Sequence, residues 1–368
     1  MTSSDVILSE LRLLIDRLDD GAKLPTVRDL MRRFSVSQGT VQEALRELRS
    51  AGSLSSHVGR GTFVVKSRPA EARAPYHRGA KDRSKHLTSY LMLSSSRLNE
   101  RGVRVQNGIQ TTLSQEGIDV VQMSYQDTDQ ILKLLRNGPE FGVAILQSHF
   151  ETVPVRLLNM LQEKSRVIVA DGHSISGIDL DTVGTDWTDA IDDAVEHLTE
   201  LGHRRIGFVT IDSQGSPIVA ARRYFAKMDD WRGTGLKVHP PMTLAINDPT
   251  LPAAAPLSEL LKTLLNENGR LPFSALLCLG VTDGAGIRQA MHDMDIKVPA
   301  TLSVHLLGHR DVPSEHFQVF SMSGPASSET IPTLIHCIKE RLANPVAPPR
   351  VTYLPIERSV RESTARPG

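Results

Sequence analysis

Cysteine is nearly absent. The 368-residue chain has two, Cys278 and Cys337, far apart in sequence. That excludes a disulfide framework and a cysteine-built zinc site. Their apolar settings, LLCLG and LIHCIK, read as buried free thiols in a reducing compartment. Long hydrophobic runs are missing too. No stretch approaches the ~20 apolar residues of a membrane span. The N-terminus has no basic region followed by an apolar stretch, so no secretory signal and a cytoplasmic location are expected. Catalytic signatures are also lacking: there is no Gly-x-Ser-x-Gly elbow, no P-loop Gly-Lys-Ser/Thr and no His-Glu-x-x-His. The 13 histidines are scattered without ligand spacing. Gly280, Gly284 and Gly286 form a glycine-rich turn with no following Lys, which suits helix entry better than nucleotide binding. No cofactor, no metal and no enzymatic activity are expected.

Net charge is the last absence, because 42 basic residues balance 42 acidic ones. The balance is uneven along the chain. Residues 1–66 carry 10 Lys/Arg and 8 Asp/Glu, a net of +2, and residues 67–85 carry 6 and 2, a net of +4. The rest then holds 26 and 32, a net of −6. Positive charge therefore gathers at the N-terminal end, where a polyanion would be met.

That end has a definite pattern. In LPTVRDLMRRFSVSQGTVQEALRELRSAGSLSSHVGRGTFVV, Leu24 to Val65, Thr26 and Asp29 have the spacing of a capping box. Leu30 and Phe34 give the first helix an apolar side. Ser35-Val36-Ser37 forms a turn, with Ser37 able to cap the next helix. In that helix Val41, Ala44, Leu45 and Leu48 share one face, while Gln38, Gln42, Arg46 and Arg49 share the opposite one. Gly52 ends it. Leu54 to Val65 reads as a hairpin with Val58-Gly59-Arg60-Gly61 at its tip. A polar and basic helix stripe beside a basic hairpin fits a major groove and its flanking phosphates, with Gln suited to adenine and Arg to guanine or phosphate. The whole is a winged helix-turn-helix.

LPTVRDL, SVSQGTVQEALREL and GRGTFVV resemble the DNA-binding domain of the GntR family of bacterial transcription regulators, over roughly residues 5 to 66. Ile7, Leu11, Leu14 and Leu18 fit its first helix. The resemblance implies DNA contact by Arg28, by the start of the second helix with Ser37, Gln38, Thr40, Gln42 and Arg46, and by the wing with Arg60 and Gly61. The family often has Arg where this chain has Gln38 and Gln42, which points to an operator of different sequence.

Ser67 to Lys85 is rich in Ala, Pro and charge without an apolar period, and reads as a flexible basic linker. From His86, short apolar runs recur at Leu87–Leu93, Val120–Met123, Val143–Leu146, Arg166–Ala170, Ile206–Ile211, Ala275–Leu279 and Leu302–Leu307. Amphipathic stretches such as Thr188–Leu201 separate them. Such alternation predicts parallel sheets covered by helices, with ligands at the carboxyl ends of the strands. VGTDWTDAIDDAVEHLTELGHRRIGFV, ALLCLGVTDGAGIRQAM, IKVPATLSV and ERSVRESTARP resemble the sensor domain of the LacI/GalR family. The expected fold class is thus an α/β two-subdomain periplasmic-binding-protein-like sensor with an N-terminal winged helix-turn-helix, the arrangement of arabinose-repressor-like regulators. The expected domains are 1–66 for DNA binding, 67–85 as linker and 86–368 for effector binding and dimerisation.

The LacI/GalR resemblance implies effector contact by Arg223, Asp171 and Asp186, and by the loop Ser94–Asn99 that contains Ser95. Two departures matter. Gly280-Val281 stands where the family usually has Asn-Asp, and Gly308-His309 where it usually has Asp. Unpaired sugar hydroxyls would cost ~1–3 kcal/mol each. Either the ligand is not a simple sugar and His309, Asp311, His149 or His173 supplies polarity, or the cleft is degenerate. The implied partners are double-stranded operator DNA, a small-molecule effector and a second copy of the chain. Alternatives are a ligand-independent DNA-binding dimer and, since GntR-type readers also occur fused to aminotransferase-like enzymes, an enzyme fusion.

Overall fold

Thr26 and Asp29 open the first complete helix, α1 (Val27–Phe34), as the spacing predicts. The Thr26 backbone N–H donates to Asp29 Oδ2 at 3.3 Å and the Asp29 N–H to Thr26 Oγ1 at 3.3 Å. The Thr26 hydroxyl donates to the same carboxylate at 2.6 Å, and this bond is the main reason the Asp29 carboxyl lies below its ordinary range. The computed structural model describes residues 89–368 except 149–151, 173–179, 247 and 249, and a discontinuous set between 11 and 64. The chain divides into two compact units, Met1–Lys81 and Asp82–Gly368.

In the first unit, Leu11, Leu30, Val41, Ala44, Leu45 and Leu48 are buried in one core with Leu54 and Val64 of a hairpin. The hairpin pairs β1 (Leu54–His57) with β2 (Gly61–Val64), antiparallel, from Leu54↔Val64 to His57↔Gly61. The segment before α1 joins it: Leu24 N–H donates to Thr62 O at 2.7 Å and Val64 N–H to Ala22 O at 2.8 Å. The apolar face read from sequence is therefore the buried one. The opposite face, Gln38, Gln42, Arg46 and Arg49, lies outside the described residues, as do Ile7, Ser37, Arg60, the side chain of Arg28 and the linker 67–85.

The second unit holds two sheets. In the first, β3 (Ser89–Ser95), β4 (Asp119–Tyr125), β5 (Phe141–Gln147), β6 (Ser165–Gly172), β7 (Asp181–Gly184) and β14 (Val351–Tyr353) run parallel in the order β14-β7-β6-β5-β3-β4. Helices α2 (Glu100–Gln115), α3 (Thr128–Asn137), α4 (Val155–Lys164) and α10 (Ser327–Ala343) belong to this lobe. In the second sheet, β8 (Arg205–Ile211), β10 (Met242–Leu244), β11 (Ala275–Leu279), β12 (Ser303–Leu307), β13 (Ser321–Gly324) and β15 (Glu357–Ser359) follow the order β10-β8-β11-β12-β13-β15. The short β9 (Lys237–Val238) also pairs with β8, and only β15 runs antiparallel to its neighbour. Its helices are α5 (Trp187–Glu200), α6 (Ser216–Phe225), α7 (Ala254–Lys262), α8 (Gly284–Asp293) and α9 (Pro313–His316). Separate apolar cores lie on the two faces of each sheet, which is why the central strands are apolar throughout. The chain crosses between lobes three times, after β7, after β13 and after β14. Both cysteines are buried free thiols, and burial pushes the Cys278 thiol up to about 12.

The segments HLTELGHRRIGFV and VRESTA meet in the second lobe. His203 Nε2 lies 2.9 Å from Ala365 O and 3.0 Å from Ser303 Oγ, while Nδ1 lies 2.8 Å from Ser274 Oγ. Ser363 Oγ donates to Val304 O at 2.6 Å and accepts from Ser321 N–H at 2.7 Å. These motif residues tie the C-terminal segment to β12 and β13. They build the lobe rather than face a ligand.

Candidate functional site

The carboxyl ends of the parallel strands from both lobes face a common cleft, the expected place for a ligand. Its inner part is lined by Asn99, Arg101, Gly172 and Thr185 on one side and by Trp187, Gly280–Thr282, Leu307–His309 and Glu315 on the other. The interior volume there is about 40 Å³. That admits a few waters at most, so a metabolite needs the lobes to part.

Arg101 comes from the first turn of α2 and is buried on the same face as Val105, Ile109 and Leu113. Its guanidinium grips Asp171, at the end of β6, through two bonds of 2.8 and 2.6 Å, and also reaches Thr330 Oγ1 at 3.3 Å. Gln147 Nε2 donates to Asp171 Oδ2 at 2.8 Å. Both members of the ion pair are buried, 5% and 0% exposed, so neither can be removed cheaply. Arg101 Nε, Gln147 Oε1 and Ser148 Oγ are buried without a hydrogen bond. They are spare polar groups at the carboxyl end of β5 and the first turn of α2.

Across the cleft, Glu315 of α9 accepts the His309 backbone N–H on Oε2 at 2.6 Å and faces His309 Nδ1 with Oε1 at 3.3 Å. The His309 ring stands edge-on to Trp187, centroids 6.0 Å apart. Gly308 is needed for this geometry, because a Cβ there would lie 2.4 Å from Glu315 Oε2. A neighbouring constraint is stricter: a Cβ on Gly324 (φ +159°) would lie 1.8 Å from Gly308 O. Gly280, Val281, Gly308 and His309 all line the cavity, so the departures seen in sequence fall where a ligand would sit.

The other residues singled out from sequence divide. Asp171 does not line the cavity but holds Arg101, which does. Asp186 caps α5, accepting from Thr188 N–H at 2.9 Å and Thr188 Oγ1–H at 2.6 Å, and does not line the cavity. Arg223 is exposed near the end of α6, and neither chamber of the cleft includes it. Ile218, Ala221 and Phe225 form the buried side of that helix, and Arg223 is rotated away from it. The adjacent Arg222 is the one that turns inward, donating to Ser213 O at 2.6 Å and Thr243 Oγ1 at 3.1 Å. Asp311 accepts from the Ser327 and Ser328 N–H groups at 2.6 and 3.0 Å, capping α10. Burial would raise its carboxyl, but these bonds outweigh burial and hold it below the ordinary range. His149 and His173 lie outside the described residues.

Ser95 belongs to a second, outer chamber of about 560 Å³. Ser95–Arg97, Tyr125, Gln126 and Thr152 contribute from the first lobe and Asp248 and Thr250 from the second. The loop Ser94–Asn99 singled out from sequence contains Arg97, whereas Arg101, Trp187, Asp248 and Glu315 were missed. Only Arg101 left a signal, as a charge within an apolar helical stripe. Among the described residues there is no cluster of His, Cys, Asp and Glu fit for a metal, and no helix is long and apolar enough to cross a membrane.

Residues 5–64 match the family described as bacterial regulatory proteins, gntR family, and residues 195–364 match a periplasmic binding protein-like domain. Over 63 residues the chain is 43% identical to the putative L-lactate dehydrogenase operon regulatory protein of Escherichia coli (strain K12), covering 17% of this chain and 24% of that protein. An HTH-type transcriptional regulator of Mycobacterium tuberculosis is 42% identical over 55 residues, 15% of this chain and 46% of its own length. The chain thus spans about a quarter to a half of these relatives. A LacI family transcriptional regulator from Mycobacterium smegmatis superposes with a TM-score of 0.60 at 19% identity, over 76% of this chain and 100% of that one. A LacI family regulator from Enterococcus faecium with bound ribose gives 0.58 at 16% identity, over 76% and 99%. A transcriptional regulator CelR–cellobiose complex gives 0.60 at 13% identity, over 92% and 100%. These matches are to regulators and not to aminotransferase-like enzymes. The chain therefore joins a domain that matches the gntR family to an α/β domain that matches the periplasmic binding protein-like family and has the fold seen in LacI family regulators.

Proposed function

We propose that this protein is a cytoplasmic, effector-responsive transcription regulator, most simply a repressor, that binds a palindromic operator as a homodimer. The observation that carries the proposal is the pairing, in one chain, of a gntR-type winged helix core with a two-lobed fold enclosing a cleft. Residues 1–66 read DNA, 67–85 link and 86–368 bind effector and dimerise. Arg28, Ser37, Gln38, Thr40, Gln42, Arg46, Arg60 and Gly61 form the reading surface. Dimerisation places two reading helices about one DNA turn, roughly 34–36 Å, or a multiple of it, apart. An effector acts only through different affinity for the open and closed lobes. His309 and Arg101, the latter held by Asp171, face it inside, and Ser95 faces it outside.

Operator selection from random DNA, followed by fluorescence anisotropy with and without candidate metabolites, tests the proposal. A selected sequence without two-fold symmetry, or no sequence preference at all, would overturn it.

A second reading, a ligand-independent dimer, is favoured by the 40 Å³ inner cavity and its Gly280-Val281 lining. Thermal-shift screening separates the two, since a ligand that binds only the folded protein raises its melting temperature. Stabilisation by any metabolite removes the second reading.

A further inference from the structure

Among the described residues, the outer chamber holds a cation whose hydrogen-bonding capacity is unused. Arg97 lies in the β3–α2 loop and lines the chamber. Its guanidinium makes no hydrogen bond among the described residues. Among the described residues its one charge partner is Asp248 of the other lobe, with Nε 3.4 Å from Oδ2. Asp248 is otherwise engaged: its Oδ1 accepts from Thr250 N–H at 2.9 Å and Thr250 Oγ1–H at 2.7 Å. The Arg97 side chain is half exposed, leaving the planar edge of the guanidinium free for a bidentate oxyanion.

The surroundings suit a hydroxylated molecule. Ser95, Ser96, Tyr125, Thr128, Thr152 and Thr250 supply hydroxyls, and the volume of 560 Å³ lies in the range of metabolite pockets. Among the described residues, the nearby carboxylates of the first lobe are engaged: Asp127 accepts from the Asp129 N–H at 2.7 Å, and Asp129 pairs with Arg156. We propose that the outer chamber binds a small hydroxylated acid, a carboxylate or phosphate monoester of a polyol, whose oxyanion takes Arg97 from Asp248. This rests on the reading of the cleft as an effector site and names the ligand class. It also gives the Arg97–Asp248 pair a role: it closes the cleft mouth until an acid replaces the carboxylate.

Isothermal titration calorimetry on the full chain at low salt tests this with glucose, gluconate and glucose 6-phosphate, and with glycerol, glycerate and glycerol 3-phosphate. At least one acid should bind tenfold or more tighter than its neutral parent. Arg97→Gln should abolish that advantage, and Asp248→Asn, which removes the competing carboxylate, should strengthen acid binding several-fold. Carboxylates and phosphates are separate arms, so the preferred oxyanion is read directly. A neutral parent binding as tightly as its acid overturns the proposal, as does acid binding unchanged in Arg97→Gln. So does the absence of acid binding in both wild type and Asp248→Asn. If a neutral compound binds at least as tightly as its acid and alters operator affinity, this inference fails while the regulator reading stands.

Discussion

Lowering the pH should weaken the second lobe through His305. This residue lies in β12 and is 0% exposed. Its Nε2 is 2.8 Å from Ser323 Oγ, and Ser323 donates its own proton to Asp193 Oδ2. The neutral Nε2–H tautomer therefore satisfies both bonds, and Nδ1 has no partner. Protonation would place a second N–H in a site without an acceptor. Burial is the main cause holding the His305 pKa well below its ordinary value, and the charges of His197, its ring 5.5 Å away, and of Arg358 act in the same direction. Folded His305 stays neutral while the unfolded imidazole gains a proton below about pH 6.5. The unfolded state then binds more protons, so stability falls as pH falls. For one histidine neutral throughout in the folded state, going from about pH 7.5 to about 5.5 costs about 1.4 kcal/mol. Burial also lowers the pKa of His197 and His203, which adds to the same trend. Urea denaturation of wild type and His305→Asn at both pH values isolates the His305 share. The wild type should lose about 1.4 kcal/mol more than the variant. An identical pH dependence in the two proteins would refute the buried, neutral assignment.

Arg101→Met should destabilise the first lobe by about 3–5 kcal/mol in urea unfolding, since Asp171 is left charged and buried; Arg101→Met with Asp171→Leu should recover most of it. Gly308→Ala should cost roughly 1–3 kcal/mol by pushing Glu315 off the His309 N–H, seen as a lower melting temperature. An unchanged melting temperature would mean that Glu315 yields without loss. Gln42→Ala should cost ~1–3 kcal/mol at one operator base and relax specificity there. Equal weakening on every sequence in a binding titration would place Gln42 on the DNA backbone instead.

The parallel strands were legible because burial on both faces makes them apolar throughout. All seven residues of β5, FGVAILQ, are buried. The β13 strand, SMSG, is equally buried but half serine, because Ser321 and Ser323 bond to neighbouring elements. β14 and β15 are three residues each, too short for any period to show. The cleft was harder to read than the sheets. Arg222 and Arg223 are about 100° apart on a helix, and the resemblance alone could not say which turns inward. Asp186 sits between Thr185 and Trp187, which line the inner cavity, but its carboxylate is used on the first turn of α5. Glu315 arrives from a four-residue helix after a loop, with no pattern around it. The outer chamber is assembled from the ends of two strands, the residues leading into α4 and a loop of the other lobe, a juxtaposition that only the topology creates.

The resemblance to sensor domains is strongest where the chain builds itself. His203 and Ser363, from the most recognisable segments, are buried and bind backbone or serine groups that hold the C-terminal segment to the sheet. The cleft-lining positions lie elsewhere. Gly280-Val281 and Gly308-His309 depart from the family pattern, and Asp248 belongs to no recognised motif. Substitution at a residue such as His203 disturbs several strands at once, whereas substitution at Arg97 disturbs one exposed pair. The physical cost of change is thus high in the motif and low in the cleft. Strong motifs therefore identify the scaffold without constraining the ligand, and the ligand must be inferred from the cleft's own charges and hydroxyls.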